Sequence, residues 1–151
     1  MPRVEATIAK ARADGFDDIV IGYGDCGTGG KLERLAEREG VEMLPGAHCY
    51  AFFAGIETFE AYDEIDAFYL TDFLARHFDA FVVKPLKLRE HPELIEMMFA
   101  HYGRVVHLVQ DPAEVTSAAA RRAADMLGLP LEVRQTGYGD LRSALSDATS
   151  R

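Results

Sequence analysis

The spacing of hydrophobic residues along the chain predicts helices that alternate with short strands. Apolar residues recur at helical spacing in several segments, whereas short apolar runs bounded by turn residues are typical of buried strands. The predicted strands are residues 18–21, 41–44, 67–70, 104–109 and 131–134. The predicted helices are residues 4–13, 31–38, 92–102, 112–127 and 140–145, together with one that carries Phe73 to Phe81 and begins after Thr71 or Asp72.

Two segments leave an alternative open. Residues 67–70 fit either a strand or the lead-in to the next helix, and residues 48–54 fit either a buried turn or a short helix. Strands that alternate with helices of this length indicate parallel β-α-β units. We therefore expect a single α/β domain over residues 1–151, Rossmann-like and three-layered, with a short and mainly parallel sheet of four to five strands.

Composition and charge narrow the classes of function. The net charge of −9 argues against a nucleic-acid-binding protein, because such proteins carry a basic surface. No apolar stretch is long enough to span a membrane, and Met1 to Glu5 lack the pattern of a signal peptide, which favours a cytoplasmic protein. A small-molecule ligand fits this composition, and an exposed sheet edge favours a homodimer.

Two loops that each follow a predicted strand carry both cysteines of the chain. Cys26 lies in the loop 22–30, and His48 and Cys49 lie in the loop 45–50. If the two strands are neighbours in a parallel sheet, both loops leave the same edge and the three side chains converge. Thiolate sulfur and imidazole nitrogen are typical zinc ligands, and three of them leave the open fourth position of a catalytic site.

The same residues fit two other interpretations. Cys26 precedes a predicted helix, and the N-terminus of a helix stabilises the thiolate form of a cysteine. Cys26 and His48 therefore also fit a catalytic thiol and its general base without a metal ion. The plainer interpretation is structural, with a buried cysteine and a hydrogen-bonded histidine.

The first loop also matches a nucleotide-binding pattern. Its glycines follow the G-x-G-x-x-G spacing between a strand and a helix, where backbone N–H groups hold a pyrophosphate. The cofactor-binding residues in this hypothesis are Gly22, Gly24, Gly27, Thr28 and Gly29. Against it, the second strand ends at Pro45-Gly46, where an acidic ribose partner is expected.

The chain resembles the domain of unknown function family 1638. The resemblance covers residues 16–145 and is most specific in the two loops, at 21–29 and 45–55, with further likeness at 68–73 and 102–108. It implies a link to corrinoid-dependent methyl transfer and one-carbon metabolism, with a corrinoid protein or a methyltransferase as partner. An accessory, non-catalytic role beside such a partner is a further alternative. Longer members begin with an additional β-α segment, so we expect this chain to have one strand fewer.

Overall fold

The computed structural model describes residues 2–25, 27–44, 49–111 and 117–149. Within these ranges the strands are β1 (Val20–Ile21), β2 (Glu42–Met43), β3 (Ala67–Thr71), β4 (Arg104–Val109) and β5 (Leu131–Gln135). The helices are α1 (Pro2–Ala13), α2 (Lys31–Glu39), α3 (Cys49–Ala54), α4 (Ile56–Tyr62), α5 (Asp72–Arg76), α6 (Glu93–Phe99), α7 (Ser117–Leu127) and α8 (Leu141–Thr149), with a π-helical segment at Asp79–Val83. None of the helices in the described part of the chain is long and apolar enough to cross a membrane.

Most predicted elements are present, with differences at their ends. Residues 67–70 belong to β3, and a short helix, α3, occupies most of the segment 48–54. Thr71 is the N-cap of α5, since its hydroxyl accepts a hydrogen bond of 3.2 Å from the Leu74 N–H. The helix predicted through Phe81 is wrong: α5 ends at Arg76, and the π-helical segment follows.

The sheet prediction is confirmed in strand direction but not in strand number. β1 pairs with β2, and β3, β4 and β5 form a second sheet in that order, all of them parallel. The described strands therefore form two short sheets rather than one sheet of four to five strands. The Rossmann-like, three-layer arrangement is not confirmed. β1 and β2 contribute only two residues each, so they offer little ladder for a further neighbour.

Strand β4 is buried on both faces. On one face, α5, α6 and α7 pack over Leu70 and Val105, and on the other face α3 packs over Val106 and Leu108. A strand covered in this way is mostly apolar, which explains the run of valine and leucine around His107 in the sequence. A separate apolar cluster joins α1, β1 and α2.

A charged network on the α3 side of the second sheet centres on Glu64. The Glu64 carboxylate accepts hydrogen bonds from Arg134 at 2.7 and 2.9 Å, from Arg104 at 3.0 Å and from the Tyr69 hydroxyl at 2.5 Å. The Arg134 hydrogen bonds are the main reason that the pKa of the Glu64 carboxyl is lowered to about 2. Burial, aided by Glu64, raises the pKa of Tyr69.

This network makes stability depend on pH in the acid range. Because the folded-state pKa of Glu64 is depressed, its contribution is present above the unfolded-state pKa and is lost as the pH falls from about 4.5 towards 2. We expect Glu64→Gln to lower the free energy of unfolding by roughly 2–3 kcal/mol near pH 7, and by less than about half as much near pH 3. Urea titrations of both proteins at the two pH values measure this, and a pH-independent difference would contradict it.

Candidate functional site

The loop that follows β1 is held together by the Asp25 side chain. Its carboxylate accepts a hydrogen bond from the Thr28 hydroxyl and two from the Gly30 N–H, at 3.1 and 3.0 Å. The Thr28 oxygen in turn accepts a hydrogen bond of 3.3 Å from the Leu32 N–H in the first turn of α2. The Thr28 hydroxyl, and after it the Gly30 N–H, hold the pKa of the Asp25 carboxyl below its usual value.

An acidic side chain therefore lies at the N-terminus of α2, where the nucleotide hypothesis requires a phosphate. The N-terminus of a helix stabilises a negative charge, because the N–H groups of the first helical turn point towards it. In this protein the Asp25 carboxylate already supplies that charge. Of the proposed cofactor-binding residues, Gly24 is buried, whereas Gly22, Gly27 and Gly29 are exposed and Thr28 is half-buried. A pyrophosphate bound there would displace Asp25 from Gly30.

Strands β1 and β2 end at the same edge of their sheet. The two strands are parallel, with Val20 beside Glu42 and Ile21 beside Met43, and the Leu44 N–H donates to the Ile21 carbonyl at 3.2 Å. Adjacent parallel strands end at a common edge. The two strands are therefore neighbours, as the predicted convergence of the two loops requires.

The three predicted metal ligands are described only in part. Cys49 is half-buried and is the first residue of α3. Cys26 and His48, which were predicted both as metal ligands and as catalytic residues, lie outside the described residues. Among the residues that are described, no three histidine, cysteine or acidic side chains are grouped closely enough to hold a metal ion.

Sequence reasoning missed a buried polar cluster where β3 and β4 end. The Asp72 and His107 side chains are 5% and 1% exposed, and His107 Nε2 donates to Asp72 Oδ1 at 2.9 Å. Asp72 Oδ2 accepts from the backbone N–H groups of Gln110 at 3.0 Å and Asp111 at 3.1 Å. The Gln110 side chain closes the cluster by accepting from the Asp72 N–H at 2.7 Å.

This cluster ties together the carboxyl ends of β3 and β4. The Asp72 carboxylate joins the start of α5 to the backbone of Gln110 and Asp111, so the two cannot separate without breaking these hydrogen bonds. The signals in the sequence were a histidine inside an otherwise apolar strand and an aspartate directly after another strand. Only the pairing of β3 with β4 brings the two together.

The loop between β5 and α8 anchors helices α3 and α4. The Asp140 N–H donates to the Phe52 carbonyl at 2.8 Å, and the Asp140 carboxylate accepts from the Ile56 N–H at 2.8 Å. Gly139 lies so close to α3 that a Cβ atom there would be 2.2 Å from the Phe52 carbonyl oxygen. The position of α3, and of Cys49 at its start, therefore depends on a loop 90 residues further along the chain.

Comparison with known proteins identifies a family but no activity. Residues 2–145 match the family model described as "Protein of unknown function (DUF1638)". No curated protein and no solved structure matches the chain.

Proposed function

The chain belongs to the DUF1638 family, and we propose that it is a small cytoplasmic α/β protein that binds a metal ion, zinc, through Cys26, His48 and Cys49. The observation that supports this proposal most directly is the parallel pairing of β1 with β2. It gives the two cysteine-bearing loops a common edge of the sheet, which is where ligands bind in parallel α/β proteins.

The donor set suits zinc. Two sulfur atoms and one imidazole nitrogen are ligands that zinc accepts in tetrahedral sites, and three protein ligands leave one position for water or substrate. Zinc bound there would stabilise a thiolate or polarise a substrate at the open position. Other residues of the protein would position these ligands. Asp25 orders the first loop, and the hydrogen bonds of Asp140 hold α3, which begins at Cys49.

The wider setting of the proposal comes from the family resemblance. We propose, as this resemblance implies, a role in corrinoid-dependent methyl transfer or one-carbon metabolism, with a corrinoid protein or a methyltransferase as the partner. The scaffold in this proposal is one Rossmann-like, three-layer domain with four to five mainly parallel strands, and its exposed sheet edge is covered by a second copy of the chain.

A nucleotide-binding role for residues 22–30 has less support. The Asp25 carboxylate already bonds to the Gly30 N–H at the start of α2, so a phosphate there would meet a like charge. A thiol–imidazole pair of Cys26 and His48 without metal uses the same residues as the zinc site. The metal content of the purified protein distinguishes the metal-free pair from the zinc site.

We expect the full chain, purified without chelators, to contain about one zinc ion per molecule, as measured by inductively coupled plasma mass spectrometry. Cys26→Ser, His48→Ala and Cys49→Ser are each expected to weaken zinc binding by roughly 100-fold, since each removes one direct ligand. His101→Ala is the matched control, because His101 is an exposed histidine before β4. A metal-free protein whose thermal stability does not change on adding zinc would contradict the proposal.

A further inference from the structure

Two phenylalanine side chains and a histidine form an exposed aromatic surface at α5. Phe73 and Phe81 are 54% and 58% exposed, and their ring centroids are 5.5 Å apart. The exposed His77 ring lies 4.6 Å from that of Phe73 and 6.3 Å from that of Phe81. Single exposed apolar residues are common on proteins, but a contiguous exposed patch marks a place where another molecule binds. These three rings are the aromatic surface.

The backbone holds the aromatic surface in place from both ends. The π-helical segment Asp79–Val83 leaves Phe81 outside while two valines of the same turn are buried. Such π-helical turns are rare, and they are found frequently at functional sites. At the other end, the Thr71 N-cap and the buried Asp72 carboxylate fix the start of α5, which carries Phe73. A partner therefore meets a surface that is already formed, which lowers the entropic cost of binding.

The surroundings of the aromatic surface are basic, although the protein as a whole has a net charge of −9. Lys84 and Arg89 share the single carboxylate of Asp79, with nitrogen–oxygen distances of 3.2 and 2.7 Å, so these three side chains keep one positive charge. Lys87 and Arg122 are exposed, and neither forms an ion pair with any residue that the structure describes. The other two charged residues of the segment 73–91, whose charges cancel, are Arg76 and Glu90.

A small cavity adjoins the aromatic surface between α5, the π-helical segment and α7. It encloses about 210 Å³, which is below the range of small-molecule sites, roughly 300–1,000 Å³, but is large enough for one side chain. Arg76, Arg89 and Arg122 line it together with Asp79, and the rest of its wall is apolar. Arg76 is three residues after Phe73, so the cavity and the aromatic surface are neighbours on α5. Its Arg122 guanidinium suits a carboxylate from outside.

We infer that the aromatic surface and its basic surroundings bind an acidic segment of another protein. An apolar side chain of that segment packs on Phe73 and Phe81, and a carboxylate enters the cavity beside Arg122. Protein interfaces combine aromatic residues at their centre with complementary charge around them in this way. The inference goes beyond the zinc proposal and uses none of its ligands.

The charge of the surface argues against two other occupants. A second copy of the chain, related by a two-fold axis through this surface, would place one basic region against the other. Nucleic acid also binds aromatic and basic side chains, but the net charge of −9 repels a phosphate backbone from the protein as a whole. An acidic protein segment is short, so it meets the basic region without approaching the rest of the acidic surface.

Phage display of random peptides on the full chain tests this inference, with the double variant Phe73→Ser, Phe81→Ser used to remove peptides that bind elsewhere. We expect the remaining peptides to carry a net negative charge and at least one aromatic or leucine residue. Fluorescein-labelled copies are expected to bind the parent protein with a Kd of about 100 μM or tighter. Binding to the double variant, or binding of a copy with amide side chains in place of its carboxylates, is expected to be at least roughly tenfold weaker.

Matched variants assign the binding to this surface. Phe16→Ser is the control for Phe73→Ser, because Phe16 is also an exposed phenylalanine. Arg122→Gln is expected to weaken peptide binding at least roughly threefold, whereas Arg121→Gln, a neighbouring exposed arginine that does not line the cavity, leaves it unchanged. Thermal unfolding followed by circular dichroism checks that each variant is folded.

Several results would overturn the inference. These are a selection that yields no peptide dependent on Phe73 and Phe81, selected peptides that are neutral or basic, and equal weakening by Phe16→Ser and Phe73→Ser. The inference also fails if the double variant instead loses self-association in sedimentation experiments or loses binding to a fluorescein-labelled oligothymidylate. Those two results would assign the surface to a second copy of the chain or to single-stranded nucleic acid.

Discussion

Gly139→Ala is expected to lower the free energy of unfolding by about 2–5 kcal/mol, because two costs coincide at this position. The φ angle is +46°, a backbone conformation that costs an alanine roughly 1–2 kcal/mol. The new Cβ atom would also lie 2.2 Å from the Phe52 carbonyl oxygen and 2.6 Å from that of Phe53. These are backbone atoms of α3, so they do not move aside as a side-chain tip does, and the overlap costs about another 1–3 kcal/mol.

Gly137→Ala is the matched control for this prediction. Gly137 has a φ angle of +59°, but a Cβ atom there meets nothing within 4 Å. Only the conformational cost of roughly 1–2 kcal/mol is therefore expected. Guanidinium titrations of the parent and the two variants measure the difference. Equal losses in the two variants would show that the contact between Gly139 and α3 has no energetic weight.

The sequence predicted those parts of the fold that depend on local signals. Thr71 and Asp72 were both N-cap candidates because their side-chain oxygens accept hydrogen bonds at the start of a helix, and Thr71 is the one that caps α5. The helix predicted over residues 31–38 is α2, which is followed by Gly40 at a φ angle of +61°, a conformation that favours a residue without Cβ. Strand β4 was clear because burial on both faces favours a mostly apolar run, here four valine and leucine residues out of five after Arg104.

Features that depend on distant parts of the chain were not predictable in the same way. The pairing of Asp72 with His107 spans 35 residues and requires β3 and β4 to be neighbours, which no local pattern specifies. The ending of α5 at Arg76 and the π-helical turn after it keep Val82 and Val83 buried, so tertiary packing overrides a helical pattern that continues to Phe81.

The candidate site, too, was predictable only where local signals determine the structure. The glycine-rich pattern of residues 22–30 correctly indicated a strand-to-helix loop, but it did not reveal that Asp25 supplies the anion at the start of α2. Whether Cys26 and His48 approach Cys49 stays a prediction, because the first two lie outside the described residues.

Asp72→Ala is expected to lower the free energy of unfolding by about 3–5 kcal/mol, as much as breaking a buried ion pair. The carboxylate accepts hydrogen bonds from His107 Nε2 and from the backbone N–H groups of Gln110 and Asp111. Alanine offers no acceptor, so these donors stay buried without a partner, and each such group costs roughly 1–3 kcal/mol. Urea denaturation at constant pH measures the loss.

Asp72→Asn distinguishes the effect of losing the hydrogen bonds from the effect of losing side-chain volume, because asparagine has nearly the same volume as aspartate. The amide oxygen keeps an acceptor for the backbone N–H groups of Gln110 and Asp111, while the amide nitrogen faces His107 and only the bond to that ring is changed. A loss of roughly 1–2 kcal/mol is therefore expected. Combining Asp72→Ala with His107→Ala in a double-mutant cycle gives the coupling between the two side chains, expected at about 1–3 kcal/mol. A coupling near zero, or a loss below about 1 kcal/mol for Asp72→Ala, would mean that the carboxyl ends of β3 and β4 are held together by packing instead of by this carboxylate.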